Sequence, residues 1–168
     1  MQRLSFMFAG FLVLALALSG CEPAEEGVAP ANGDGRVRLS VRDSSAESGD
    51  YRVHVNAMST SDLTPEVAQA YGIKRSNNQG LINVVVLHDK GDGMGHVAVK
   101  AKVDVSASNL TGQLKEFELR EVEGDSSIYY IGEVGVDDRE MINFDLDIQP
   151  ADSPQVLLLR YSHQFYTK

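Results

Sequence analysis

The strongest constraint on what this chain can fold into is a period of two. Val97, Val99, Ala101, Val103 and Val105 alternate with Ala98, Lys100, Lys102 and Asp104, and Ile142, Phe144, Leu146 and Ile148 alternate with Asn143, Asp145 and Asp147. Successive side chains of a β-strand point to opposite faces, so each run describes a strand with one apolar face and one wet face. Val37, Leu39 and Val41 predict a short first strand. Tyr51, Val53, Val55 and Ala57 predict a second, with Arg52, His54 and Asn56 outward. Residues 81–87 and 128–134 are apolar on both sides and read as central strands. Residues 114–122 lose their alternation after Leu119, as at a bulge, and residues 156–166 read as a terminal strand.

Turn chemistry punctuates these runs at Asp89-Lys90-Gly91-Asp92-Gly93, at Glu123-Gly124-Asp125 and at Pro150-Ala151-Asp152-Ser153-Pro154. A single open sheet would leave its apolar face uncovered. The expectation is therefore a mainly β fold, an antiparallel immunoglobulin-like β-sandwich of about eight strands. One short helix is inserted between the second and third strands: Thr64 can cap it, Pro65 suits its first position and Gly72 ends it, giving residues 65–71. Val67, Ala70 and Tyr71 are expected to face the sheet, with Leu63 and Ile73 packing at the ends.

The first 36 residues have a different character. Arg3 precedes a nearly unbroken apolar run from Phe6 to Leu18, too short to span a bilayer and of the length of a signal-peptide core. Leu18-Ser19-Gly20-Cys21 resembles the lipobox at which bacterial lipoproteins are acylated and cleaved, so residues 1–20 are read as a signal peptide and Cys21 as the lipidated residue. Cys21 is the sole cysteine, which leaves no partner for an internal disulfide. Residues 22–36 are rich in Pro, Gly, Ala and acid and read as a flexible tether, roughly 20 Å end to end. Residues 37–168 form the sandwich domain. Loss of Arg3 moves the formal charge from −9 to −10, so nucleic acid is an unsuitable partner and the anchor at Cys21 has to hold the domain to the membrane. Glu22, following the cysteine where an aspartate would favour the inner membrane, points to the periplasmic face of the outer membrane.

Gly49-Asp50-Tyr51-Arg52-Val53-His54-Val55-Asn56-Ala57, Leu63-Thr64-Pro65-Glu66-Val67-Ala68 with Tyr71-Gly72-Ile73, Asn109-Leu110-Thr111-Gly112-Gln113-Leu114, Ile128-Tyr129-Tyr130-Ile131 and Gln164-Phe165-Tyr166 together resemble the domain of unknown function 4426 family of exported proteobacterial proteins. The resemblance implies an exported single domain with a sandwich-like fold. It implies no activity, ligand or catalytic residue. The lipobox and the acidic tether are departures from the plain secretory signals of many members.

Candidate chemistry is sparse. Asp89-Lys90-Gly91-Asp92-Gly93 fails as a calcium loop, because glycines stand two and four residues after Asp89 and Lys100 occupies the twelfth position. His88 and His96 flank that turn and could face one another, yet no third metal ligand is evident, and no metal or other cofactor is expected. Asp145 and Asp147, with Asp137, Asp138 and Glu140 nearby, read as a solvated face rather than acid–base machinery. Asn109-Leu110-Thr111 reads as a turn. No nucleophile elbow, phosphate loop or zinc-spaced cluster occurs, so catalysis is not expected.

Two function classes remain. In the first, the domain is a noncatalytic protein-binding or envelope-assembly module. Its candidate surfaces are the loop carrying Lys74, Arg75, Asn77 and Asn78, where a basic pair could meet acidic groups, and the outward stripe Arg52, His54 and Asn56. In the second, it binds a small molecule or glycan in a pocket beside the helix.

Overall fold

The structure, a computed structural model, describes residues 35–167 apart from Asp92, Met94 and Asp125. The apolar leader, Cys21 and nearly all of the tether lie outside the described residues. In chain order the elements are β1 (Arg36–Leu39), β2 (Ser45–Ser48), β3 (Tyr51–Ser59), a 3-10 turn (Thr60–Asp62), α1 (Pro65–Ala70), β4 (Gln79–Asp89), β5 (His96–Ala98), β6 (Ala101–Asn109), β7 (Leu114–Lys115), β8 (Glu118–Glu123), β9 (Ile128–Gly135), β10 (Met141–Pro150) and β11 (Val156–Gln164). They build a sandwich of two sheets. The first has the order β1-β11-β10-β6-β7; the second has β2-β3-β4-β9-β8, with β5 paired on β4.

The inward halves of the alternating runs make the core between the sheets. Val53, Val55, Val84 and Val86 of the second sheet pack with Phe144, Leu146, Ile148 and Leu157 of the first, all fully buried. Val103, Val105 and Ala107 lie opposite Ile148, Leu146 and Phe144, so β6 presents its apolar side to the same core. Two glycines are required by close approach. A Cβ on Gly80 would stand 2.6 Å from the Phe165 ring, and one on Gly132 would stand 2.2 Å from the Phe117 ring.

The strands number eleven among the described residues, where about eight were expected, for three physical reasons. The run 97–105 is two strands in different sheets: the Val99 amide still donates to Val86 of the second sheet at 3.0 Å, while the Lys100 carbonyl already accepts from Ala151 beside the first sheet at 2.8 Å. The run 114–122 likewise divides, β7 joining the first sheet and β8 the second, so the irregularity read as a bulge is a change of sheet. β2 is a short polar hairpin arm with a single buried apolar residue, Ala46, too little for periodicity to register. The helix therefore follows the third strand rather than the second. The pairing is antiparallel throughout except at β1 and β11, which run parallel.

Candidate functional site

The outer faces of the two sheets differ, and the difference locates the candidate site. Leu81, Val85 and Leu87 of β4 project outward on the second sheet, with Asn83 among them, and Ile131 lies directly opposite Asn83. Sheet pairing thus assembles an apolar patch on a face that would otherwise meet water. Helix α1 covers part of it. Thr64 Oγ1 accepts from the Val67 amide at 3.3 Å and Pro65 occupies the first turn. At the far end the Ile73 amide donates to Ala68 at 2.8 Å, past Gly72 at φ +64°. Ala68 is buried and Val67 is 40% exposed, which shifts the expected sheet-facing side: Ala68, not Ala70, is the buried alanine. Six helical residues are too few for periodicity to resolve the face.

Between α1 and the sheet lies a cavity of about 180 Å³ lined by Met58, Leu63, Val67, Tyr71, Ile73, Leu81, Asn83, Tyr129 and Ile131. Tyr71 and Tyr129 meet edge to face, with ring centroids 6.1 Å apart. The Arg120 guanidinium donates to the Tyr71 carbonyl, tying the helix end to β8. Asn83 Oδ1 is buried and receives no hydrogen bond from any described residue. A buried acceptor left unpaired costs about 1–3 kcal/mol.

The residues expected to form a basic binding loop lie on a segment held by several hydrogen bonds. Thr60 Oγ1, fully buried, lies 3.1 Å from the carbonyls of Lys74 and Ser76, to which it donates, and accepts from the Ser76 amide at 3.0 Å. Arg75 donates to the Ser61 carbonyl at 2.8 Å, and the Asn78 carbonyl accepts from Val136 at 3.0 Å. The segment is thus fastened to the 3-10 turn and to the residue just past β9, and Lys74, Arg75, Asn77 and Asn78 are all exposed upon it. Asn78 borders a second depression of about 440 Å³ with Lys115, Glu116 and Asp137. There Lys115 pairs with the half-buried Glu140 at 2.6 Å. Desolvation pushes the Glu140 carboxyl up, but hydrogen bonds from Lys115 and the Asp137 amide outweigh it and hold the group below its ordinary value. The outward stripe forms as expected. Arg52 is paired with Glu47 at 2.6 Å, His54 is exposed, and Asn56 sits directly across from Asn83, so the stripe ends at the cavity.

His88 and His96 do not face one another. The register sets His88 opposite Val97 and His96 opposite Asp89, putting the two imidazoles on opposite faces of the hairpin. His88 instead stacks on Tyr51 at 4.3 Å, and both rings donate to Asp152 at 2.8 Å, closing one end of the sandwich. No group of three or more potential metal ligands occurs among the described residues. No helix among them is long and apolar enough to cross a membrane. Cys21 lies outside the described residues.

The sequence offered a pocket beside the helix as one alternative but not its lining, which comes from four separated segments. One signal was available: Asn83 is the single polar residue in the outward row Leu81, Asn83, Val85 and Leu87.

The model of a domain of unknown function, DUF4426, matches residues 45–168, from β2 onward. A crystal structure of a DUF4426 family protein from Pseudomonas aeruginosa PAO1 is similar at 31% identity and a TM-score of 0.61, over 74% of this chain and 94% of that one. No curated protein matches.

Proposed function

The chain belongs to the DUF4426 family, and from that premise we propose that it is a noncatalytic binding module of the bacterial envelope that holds a partner protein at the cleft between α1 and the second sheet. The observation that carries this reading is the cleft itself, an apolar cavity with one unpaired acceptor in its lining. Its size favours the first of the two function classes. Pockets for free small molecules run to about 300–1,000 Å³, and a glycan needs many polar partners. A cavity of about 180 Å³ suits one anchoring side chain of a larger partner. The noncatalytic reading draws support from the ionisable pairs Lys115–Glu140 and His88–Asp152, each of which joins separate elements. A photocrosslinking residue at Val67 should capture the partner in intact envelopes, and the same group at Lys102 on the other sheet should not. Equal capture from both positions, or none at Val67, would overturn the assignment.

The setting we propose is the periplasmic face of the outer membrane, reached by a lipid on Cys21. It is supported by the apolar run that ends at Leu18-Ser19-Gly20-Cys21 and by Glu22 after it. Cys21→Ser should abolish fatty-acid labelling and membrane retention while the domain melts unchanged. A mutant that still labels and sediments would refute the anchor.

A further inference from the structure

The cleft carries enough chemistry to specify what enters it. We propose that it takes the ring of a tryptophan or tyrosine side chain, carried on a cationic segment of the partner, with the ring N–H or O–H donating to Asn83 Oδ1. This rests on the reading of the cleft as a protein-binding site.

Size comes first. An apolar cavity of about 150 Å³ accepts benzene, so one of about 180 Å³ is on the scale of one planar aromatic side chain. The walls suit a ring as well: Tyr71 and Tyr129 already stand edge to face, and Met58 adds a polarisable thioether. Polarity then narrows the choice. An aliphatic anchor would fill the space and leave Asn83 Oδ1 as it is, buried and unpaired. A lysine or arginine head would bring its charge into an apolar site. An indole or phenol supplies an apolar body and one donor. A modest turn about the soft terminal torsion of Asn83 brings its oxygen to meet that donor.

The rim supplies the charge argument. Glu133 is the cross-strand neighbour of the lining residue Leu81, and Glu118 lies directly opposite Glu133 on that face. Like charges set opposite one another repel, and Arg120, the nearby cation, is engaged by the Tyr71 carbonyl. The chain carries a formal charge of −9. A lysine or arginine beside the anchoring ring would lie between the two carboxylates and relieve their repulsion.

The chain contains no tryptophan, so the fluorescence of a tryptophan peptide reports binding without background. Capped Lys-Trp-Lys titrated with the purified full chain should show a saturable blue shift. Capped Glu-Trp-Glu should bind more weakly, and capped Lys-Leu-Lys should compete poorly. Asn83→Leu should weaken Lys-Trp-Lys by about tenfold, the size of one hydrogen bond. Val67→Phe, at an exposed position on the cleft mouth, should abolish binding without touching the fold. Undiminished affinity for Asn83→Leu, or competition by Lys-Leu-Lys equal to that of Lys-Trp-Lys, would overturn the aromatic donor and leave the cleft as a protein-binding site. Absence of any saturable shift overturns the inference; if crosslinking from Val67 fails as well, the protein-binding reading falls with it.

Discussion

The outer faces of the two sheets show opposite ways of finishing a sandwich. On the first sheet the outward residues pair with each other: Arg160 grips Asp145 with two hydrogen bonds of 2.7 and 2.9 Å, Lys102 meets Asp104 at 2.9 Å, and Ser162 bonds Asn143 at 2.6 Å. On the second sheet, Ile73, Leu81 and Ile131 form a separate buried cluster beneath a six-residue helix. A face of paired polar groups is complete in water and asks for nothing more. An apolar face roofed by a helix too short to seal it leaves a cavity and an unpaired oxygen, and that incompleteness is where a partner can gain free energy.

Stability measurements test this contrast in order of expected size. Leu81→Ala should cost about 2–3 kcal/mol in denaturant melts, toward the low end for a buried leucine because the neighbouring cavity already limits its contacts. A loss below about 0.5 kcal/mol would mean the second cluster is no better packed than a wet face. Asn83→Leu should raise stability by about 1 kcal/mol, since an unpaired buried polar atom is replaced by an apolar group of similar size. A fall in melting temperature instead would show that the amide is satisfied.

A pH series distinguishes charge inside the first sheet from charge outside it. His163 lies opposite Ile142 on the inner side, and burial holds its imidazole below the ordinary value. The unfolded chain therefore takes up a proton that the folded chain refuses. Stability is full above the unfolded value near 6.5, declines as pH falls below it, and levels off beneath the folded value. His163→Gln should flatten that decline between about pH 7 and pH 5; an unchanged slope would assign it elsewhere. The smallest effect belongs to the outer face. Asp145→Ala should stay within about 0.5 kcal/mol, because an exposed ion pair is screened and costs side-chain entropy to hold. A loss matching Leu81→Ala would erase the contrast between the faces.

How much of this could be read beforehand depended on the range of the interaction. The helix was legible because Thr64, Pro65 and Gly72 act on their own backbone. The core was legible too, since alternation records which residues face inward. What alternation cannot record is the sheet a strand belongs to. From Val97 to Val105 every odd residue keeps facing the core while the chain leaves one sheet for the other, because both sheets turn their apolar sides to the same interior. The contacts made by the charged segment were not legible. Only the fold shows that Arg75, exposed beside Lys74, also donates to the Ser61 carbonyl. A pocket beside the helix was legible as one alternative, but the unpaired oxygen within it was not, since such an oxygen is defined by what does not approach it.

The parallel pairing of β1 with β11 bears on how the domain would carry a mechanical load. Arg36 lies beside Val156, so β1 enters the first sheet at the end where β11 begins, and Leu39 lies beside Leu159 further along. Tension applied ahead of Arg36 and resisted beyond Gln164 would drag the two strands lengthwise past each other. The bonds between them lie across that direction and share the force, so they must yield together rather than open one at a time like a zipper. A pull arriving through the residues ahead of Arg36 would therefore meet the sandwich along its most resistant axis.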